Sequence, residues 1–474
     1  MSQQANELIK QGISQYQLRE FEAALESWRQ ALTLYREVDD RRRSGAALGN
    51  MGVAYEALGD LARAIDCYEQ HLVLAREIAD RRGEANALGN LGNACCARSD
   101  FDGAIKYQQQ RLAIARDTGD NRGEEEALGN LAASYDAKGD LPGAIECYDR
   151  QLAIGRARSD DRIERKALKN LKLAYKYLAN YDQANYYRQQ QLAIVRQLFL
   201  TEKNSDFVQL AEMVGLNPAE DFAGVDLSNF DLQYADFAGA DLRHTNFSNV
   251  DFTLADLSGA LLSGAILIDA TLCNANLRDS ELNDANLSGA DLRTKLPRAN
   301  LQNANLTEAN LTEANFTEAN LFAANLTDAS MIRTNLMKAN LSWSTLKAVN
   351  LTNAILSESL LERANLTTAI LSGAMLSGAN LTGADLRQVT MVGANLTEAN
   401  LSNANLRVAN VSWSTLAKAN LSGANLYRAK LCWSNFSGAV LVEAVLIDAN
   451  LNRTNFRDAD LRRAIMPDGS TNES

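Results

Sequence analysis

Side chains able to carry catalysis or bind a metal are few and scattered in this chain of 474 residues. It has two histidines, His71 and His244, and neither is placed to act as a base beside a nucleophile. Six cysteines occur without a Cys-x-x-Cys pair, so a zinc site of cysteines and histidines has no sequence support. Phosphate-binding glycine loops and the Gly-x-Ser-x-Gly motif are also absent. The sequence therefore predicts a protein that is not an enzyme and holds no cofactor or metal.

Four asparagines recur at a constant interval within a repeated Ala-Leu-Gly-Asn sequence, whose last copy reads Ala-Leu-Lys-Asn. They are Asn50, Asn90, Asn130 and Asn170. Leu48, Met51 and Tyr55 have helical spacing before a turn at Gly59, and a second apolar helix follows. Residues 1–42 carry a looser copy, which makes five units. A pair of helices that shares one apolar face cannot fold alone, so the units must stack as a solenoid.

This pattern resembles the tetratricopeptide repeat, in the 40-residue variety with a Leu-Gly-Asn signature that occurs in kinesin light chains and spindle-orientation scaffolds. The resemblance covers residues 1–200 and implies an α-α superhelix. In that family the first helices of successive repeats line a peptide-binding groove, which implies that the four signature asparagines lie on it. An amide both donates and accepts hydrogen bonds, so these side chains could bind peptide main chain. The alternative is that they brace neighbouring helices within the solenoid.

The last helical unit differs from the others in its charge. Residues 151–200 contain 10 basic and 4 acidic residues, against 6 and 10 in residues 101–150. We expect Lys169 and Lys176 to contribute to the groove and to favour an acidic segment, either of another protein or of this chain's own second half. A solvated end face is an equal alternative. Four cations have the spacing of one helical stripe: Arg165, Lys169, Lys172 and Lys176.

From residue 222 the period falls to five. Every fifth position is apolar from Leu227 to Leu292 and again from Leu296 to Met466, with one residue missing near Thr294. A period of five fits neither a helix nor a strand, so each unit must be one short extended step and one corner. Four steps close a coil of about twenty residues, and coils paired through the backbone advance about 4.8 Å each. About twelve such coils would form a rod of roughly 60 Å.

The motif Ala-(Asn/Asp)-Leu-x-x resembles the pentapeptide repeat, which implies a right-handed quadrilateral β-helix over residues 222–466. The segment 201–221 contains a short amphipathic stretch that is predicted to cap the open first coil. Residues 467–474 are polar and are predicted to be a disordered tail, which leaves the last coils as a surface where two copies could form a homodimer. The chain is thus predicted to be a two-solenoid protein, an α-α superhelix followed by a β-helix.

Side chains twenty residues apart should stack on one side of such a rod. Trp413 and Trp433 form one such pair at outward positions, which makes them a candidate contact patch. The alternative is that they only cover the shaft. On another side of the rod the sign of the charge alternates from coil to coil, as at Lys338 and Glu358. This alternation predicts weak ion pairs between coils. The asparagines before most apolar positions are explained as stacked amides bonded to one another.

The net charge of −12 belongs almost entirely to the second half of the chain. Residues 1–200 contain 28 basic and 29 acidic residues, whereas the remainder contains 19 and 30. This balance argues against direct binding of nucleic acid. The sequence shows neither a secretory signal nor an apolar segment long enough for a membrane, so we expect a cytoplasmic protein without membrane contact.

The predicted function is a non-catalytic adaptor that binds a protein or peptide partner in the helical groove and presents a rigid acidic rod. The alternative comes from a few pentapeptide-repeat proteins that imitate DNA and bind DNA gyrase. The acidic side chains concentrated in the first coils could imitate the row of phosphates of DNA, or they could only keep the rod soluble. The aspartates concerned are Asp226, Asp231, Asp236, Asp241, Asp251 and Asp256.

Overall fold

The computed structural model describes residues 2–201 and 206–473. Met1 of the predicted helical array, residues 202–205 of the predicted linker and Ser474 of the predicted tail lie outside the described residues. The chain divides into two compact units, Met1–Arg196 and Gln197–Ser474. The first unit is helical, and the second is built from short parallel backbone bridges.

Consecutive helices of the first unit are joined by short turns and pack against their neighbours in sequence. Each repeat supplies two of them, as the sequence predicts. The helices are α1 (Ser2–Gln17), α2 (Phe21–Glu37), α3 (Arg41–Ala57), α4 (Leu61–Glu77), α5 (Arg81–Ala97), α6 (Phe101–Thr118), α7 (Asn121–Lys138), α8 (Leu141–Arg158), α9 (Asp161–Tyr177) and α10 (Tyr181–Thr201).

An aspartate caps the N-terminus of each helix from α3 to α9, so every complete repeat in this stretch contains two capping aspartates. The carboxylate of Asp60, for example, accepts a hydrogen bond of 3.0 Å from the backbone N–H of Arg63. Such caps satisfy N–H groups that have no partner within the helix and contribute about 1 kcal/mol each. The preceding residue has a positive φ, as at Gly59 (79°) and Ala79 (52°), and reverses the chain.

Small residues let the two helices of a repeat approach closely. Gly52 of α3 lies against Tyr68 of α4, whose ring is fully buried. A Cβ atom on Gly52 would lie 2.3 Å from Cε1 of that ring. Gly12 lies in the same way against Trp28, and Gly92 against Gln108. The glycine therefore decides how large a side chain the partner helix can bury.

In the second unit the residue directly before an inward leucine bridges in parallel to its counterpart one coil later, as in the series Asn300, Asn320 and Asn340. The backbone N–H of Leu301 donates to the carbonyl of Asn320 (2.7 Å), and the N–H of Asn320 donates to that of Ala299 (2.9 Å). Leucines and alanines at the two inward positions of almost every step are fully buried. These repeats form the quadrilateral β-helix that the five-residue period predicts.

The corners of the β-helix are tight turns, and many of them are held by an asparagine or aspartate. The N–H of Ala304 donates to the carbonyl of Leu301 (3.0 Å), and Asn303 between them has a φ of 59°. The side chain of Asn320 accepts a hydrogen bond from the N–H two residues later (3.2 Å) and donates to Asn300 (3.0 Å). Asparagine suits this position because its amide can bond to its own turn and also to the next coil.

One coil is a residue short, at the place where the five-residue pattern skips. Lys295 bridges back to Asn276 and forward to Asn315, so the backward interval is one residue shorter than the forward one. Thr294 is buried, and its hydroxyl donates to the carbonyl of Ala275. The N–H of Lys295 reaches the same carbonyl at 3.4 Å. The threonine hydroxyl thus compensates for a stretched backbone hydrogen bond.

The first coil is covered by α11 (Phe207–Val214), which begins with an Asp206 cap. Phe207 is buried, and its ring lies 5.7 Å from that of Phe222 and 5.5 Å from that of Phe230. Phe199, from the end of α10, also lies 5.7 Å from Phe207. The second compact unit therefore begins at residue 197 rather than at the predicted boundary of 200–201.

Residues 467–473 differ from the disordered tail that their polar composition predicts. Thr471 forms an antiparallel bridge with Ile465, and the N–H of Asn472 donates to the carbonyl of Ala464 (2.8 Å). Main-chain hydrogen bonds hold the segment to the last coil. Amino-acid composition carries no information on such bonds. The inward side chains of Leu451 and Phe456 remain partly exposed at this end. A homodimer through these coils stays a prediction.

We expect Gly52→Ala to lower the free energy of unfolding of the helical unit by about 1–3 kcal/mol, because the buried Tyr68 ring must move. Gly129→Ala is the matched control within another helix. Its Cβ would lie 3.5 Å from Nε2 of Gln151, an ordinary contact, so stability should stay equal or rise by up to about 1 kcal/mol. Urea unfolding followed by far-ultraviolet circular dichroism measures both, and equal effects of the two substitutions would contradict this packing.

Candidate functional site

Successive repeats of the helical unit form one groove with a volume of about 1050 Å³. The first helix of each repeat contributes its signature asparagine, so that Asn50, Asn90 and Asn130 all line it. Asn170 of α9 is not among the lining residues. The structure therefore brings together three of the four asparagines that the sequence singles out. The groove also carries several charged side chains: Arg42, Asp80, Arg82, Arg111, Glu125, Glu126 and Lys166.

The floor of the groove comes from the second helices, at positions that the sequence analysis missed. His71, Arg111 and Gln151 occupy the same position in successive repeats, and all three line the groove. Opposite them stand the glycines of the Leu-Gly-Asn signature, where a Cβ on Gly49 would lie 3.2 Å from Nδ1 of His71 and a Cβ on Gly89 3.2 Å from Arg111. The glycine thus makes room for a large polar side chain. The constant repeat interval between His71, Arg111 and Gln151 could have revealed this shared position, although the three residue types differ.

The signature asparagines are not equivalent in their hydrogen bonding. The amide of Asn130 donates to Oδ1 of Asn93 (3.0 Å), which also accepts from Gln108 (3.2 Å). Asn130 therefore braces α7 against α5, which is the alternative role. Asn50 and Asn90 make no side-chain hydrogen bond to any residue in the described parts of the chain. Their amides keep their donors and acceptors available at the groove surface.

Each carboxylate of the groove is paired with an arginine. Asp80 accepts from Arg42 (3.0 Å), Glu126 from Arg111 (2.6 Å) and Glu125 from Arg162 (2.8 Å). The hydrogen bond from Arg111 lowers the pKa of Glu126 and keeps it ionised. Two further cations of the lining, Arg82 and Lys166, have no carboxylate within 4.0 Å among residues 2–201 and 206–473. The groove consequently carries uncompensated positive charge.

His71 is the most unusual side chain of the floor. It is 9% exposed, and its Nδ1 atom has no hydrogen-bond partner among the described residues. Burial lowers the pKa of the imidazole, and the nearby Asp80 opposes that shift only in part. The ring is therefore neutral near pH 7, and Nδ1 lies at the groove lining beside Gly49.

The predicted basic stripe on α9 is divided in the structure. Lys169 and Lys176 are exposed, as a partner-binding role requires, but Lys172 is buried at 5% exposure. Neither Lys169 nor Lys176 is among the residues that line the groove, whereas Lys166 is. Lys169 stands where the other repeats have the signature glycine.

The predicted contact patch on the β-helix has the expected geometry. The rings of Trp413 and Trp433 are stacked, with centroids 4.8 Å apart and an angle of 5° between their planes. They are 61% and 42% exposed. Arg453, one coil further on, lies over Trp433 at 4.1 Å from the ring centroid. The stack therefore lies on the surface and does not serve to close the core.

Other chemistry is sparse in the described parts of the chain. No group of three or more histidine, cysteine or acidic side chains there has the arrangement of a metal site. Burial raises the pKa of the Cys67 and Cys147 thiols to about 11, so both are protonated and unreactive at neutral pH. None of the helices within residues 2–201 and 206–473 has the length and apolar content of a membrane span.

Comparison with known proteins agrees with both repeat patterns. Pentapeptide repeats match in eight segments that span residues 221–383 and 394–463. HetL, a pentapeptide-repeat protein involved in heterocyst differentiation regulation from Nostoc sp. strain PCC 7120, is 30% identical over 57% of this chain and 100% of its own, with a TM-score of 0.22. The chain belongs to the pentapeptide-repeat family.

The helical half of this pentapeptide-repeat protein matches the tetratricopeptide repeat over residues 6–77, 43–117 and 127–162. A kinesin light chain-like protein with nearly identical TPR-like repeats from Podosopora anserina is 18% identical over 42% of this chain and 97% of its own, with a TM-score of 0.37. No curated protein matches the sequence. The predicted two-solenoid fold is confirmed, and both repeat folds are typical of non-catalytic scaffolds for protein interactions.

Replacing His71 by Gln, the residue at the equivalent position 151, should remove one source of acid sensitivity. The folded state holds His71 at a lowered pKa, so its contribution to stability is complete above the unfolded pKa of about 6.5 and is lost as the pH falls through the folded value. The free energy of unfolding of the wild type should therefore fall more steeply below pH 6.5 than that of the variant.

Urea unfolding of the full chain from pH 8 to pH 5, followed by circular dichroism, measures this difference. His244→Gln in the β-helix is the control and should keep the wild-type slope. Parallel curves for the wild type and His71→Gln would show that His71 does not titrate as its burial requires.

Proposed function

We propose that this protein is a non-catalytic adaptor that binds an extended segment of a partner protein in the groove of its helical repeats. The observation that carries the proposal is the position of Asn50, Asn90 and Asn130 at one point of successive repeats on a single groove. Two of these amides are unengaged in the described structure. Amides in a regular row match the alternating donors and acceptors of a peptide main chain.

The charges of the groove favour a partner segment that carries acidic residues. Asp80, Glu125 and Glu126 are already neutralised by arginines. Arg82 and Lys166 supply the positive charge that remains, and the exposed Lys169 is a further cation on α9. A carboxylate of the partner could pair with Arg82 or Lys166 without displacing an existing ion pair. This lowers the free-energy cost of burying that carboxylate in the groove.

The β-helix would act in this adaptor as a stiff element of fixed diameter, because each coil is bonded to the next along its whole perimeter. The alternative function, imitation of DNA, has no specific support from the first coils. Asp226 and Asp236 accept the N–H groups two residues later, both at 3.0 Å, and Asp241 is paired with Arg243 at 2.7 Å. A structural role in the corners accounts for these aspartates.

The double substitution Asn90→Ala and Asn130→Ala should abolish capture of the partner by the full-length protein. Captured proteins are identified by mass spectrometry after crosslinking in cells, and affinity for the identified segment is then measured by calorimetry. Asn90→Ala alone should weaken binding about tenfold without changing stability, since Asn90 makes no internal bond. Asn130→Ala should also lower stability by about 1 kcal/mol, because it loses its bond to Asn93.

Asn185→Ala, on an exposed part of α10 outside the groove lining, is the matched control and should bind like the wild type. Retention of every partner by the double variant, with unchanged affinity, would refute the groove hypothesis.

A further inference from the structure

The last coils of the β-helix differ in charge from the rest of the rod. Residues 221–300 contain 12 acidic and 5 basic residues, whereas residues 401–466 contain 4 acidic and 8 basic residues. The two exposed, stacked tryptophans lie within this basic part. A positively charged surface with exposed aromatic rings is therefore present in a protein whose net charge is −12.

Most of the cations in these coils are neutralised. Lys418 pairs with Glu398 (3.6 Å), and four arginines pair with aspartates or glutamates between 2.7 and 3.4 Å. Three cations are exceptions: Arg407, Lys430 and Arg453 have no carboxylate within 4.0 Å in the parts of the chain that the structure describes. Three unneutralised cations thus lie within these coils.

These three cations and the aromatic rings lie on one face of the β-helix. Lys430 bridges to Asn410 and Asn450 and occupies the middle of that face. Tyr427 lies at the preceding corner with Arg407 over its ring at 4.7 Å, and Trp433 lies at the following corner. The face is therefore bounded on both sides by an aromatic ring stacked with an arginine. We name it the aromatic-cationic face: Arg407, Trp413, Tyr427, Lys430, Trp433 and Arg453.

One side of the tryptophan stack is open. Trp433 lies between Trp413 and Arg453, but the preceding coil has Gly393 at the corner next to Trp413. A Cβ atom on Gly393 would meet no atom within 4 Å. The outer surface of the Trp413 indole, which is 61% exposed, is therefore accessible to a side chain lying over Gly393.

We propose that the aromatic-cationic face is a second binding site, separate from the helical groove, for an acidic peptide segment of a protein partner. Carboxylates of the segment pair with Arg407, Lys430 and Arg453, and an aromatic or apolar side chain of the segment packs on Trp413. Stacking on an exposed indole and pairing with unneutralised cations both bring affinity without breaking an existing ion pair.

The charge of the rod favours a short peptide over a nucleic acid. At physiological salt, charges are screened beyond about 8 Å, so a short segment experiences mainly the three local cations. A longer polyphosphate would extend over the acidic coils and be repelled by them. The site does not depend on the proposed role of Asn50, Asn90 and Asn130, so failure of one proposal leaves the other standing.

The test is fluorescence anisotropy of the full-length protein with a fluorescein-labelled peptide, Glu-Asp-Phe-Asp-Glu, and its counterpart Lys-Lys-Phe-Lys-Lys. We expect only the acidic peptide to bind, and more weakly as salt rises. Trp413→Ala should weaken binding about tenfold. The triple variant Arg407→Gln, Lys430→Gln and Arg453→Gln, which keeps both indoles, should weaken it at least as much.

Trp343→Ala is the matched control, because Trp343 is also exposed (53%) and lies under an arginine, Arg363 at 5.0 Å, on another corner. It should bind like the wild type. Arg82→Gln in the helical groove should likewise have no effect, and a loss confined to that variant would place the peptide in the groove and overturn the proposal.

Three other results would also overturn it. They are no binding of the acidic peptide by the wild type, equal losses in Trp413→Ala and Trp343→Ala, and tighter binding of a fluorescein-labelled single-stranded DNA of the same net charge. Sedimentation velocity tests whether a second copy of this chain occupies the face instead. A dimer that the triple variant abolishes would identify the face as a contact between two copies and would also contradict the proposal.

Discussion

No repeat of this protein can bury its apolar side chains by itself. The inward leucine of a five-residue step touches the walls of its own coil, and the coils on either side close the space above and below it. The same holds for a helix pair such as α3 and α4, whose shared face is completed by α2 and α5. Stability is consequently a property of neighbouring repeats, and the ends of each array need separate solutions.

Those solutions differ at the two ends of the β-helix. At the first coil, α11 buries Phe207 against the rings of Phe222 and Phe230. At the last coil, a main-chain hairpin pairs with Ile465 and covers only part of the edge. Aromatic rings thus cluster where the shaft meets a helix, whereas leucine and alanine fill most of the remaining shaft.

The sequence was sufficient for the architecture because both periods are set by backbone geometry that every repeat shares. Positions such as Asn320 or Leu301 recur with little variation, so their roles could be predicted from spacing alone. The groove was harder to predict. His71, Arg111 and Gln151 share a position but not a residue type, and Lys172 looks like part of a charged stripe although it is buried. The ordered segment after residue 466 was missed because main-chain pairing has no compositional signature.

The short coil at Lys295 shows where this architecture tolerates a change in length. The missing residue is absorbed at a corner, and the bridges beyond it resume the regular interval of one full coil. The straight steps contain no such adjustment, since each of their residues is either inside the shaft or bonded to the next coil. Loss or gain of a whole coil would leave every column of side chains aligned and change only the distance between the two ends of the rod, in increments of about 4.8 Å. The β-helix can therefore evolve as a spacer whose length varies while its surfaces stay in phase.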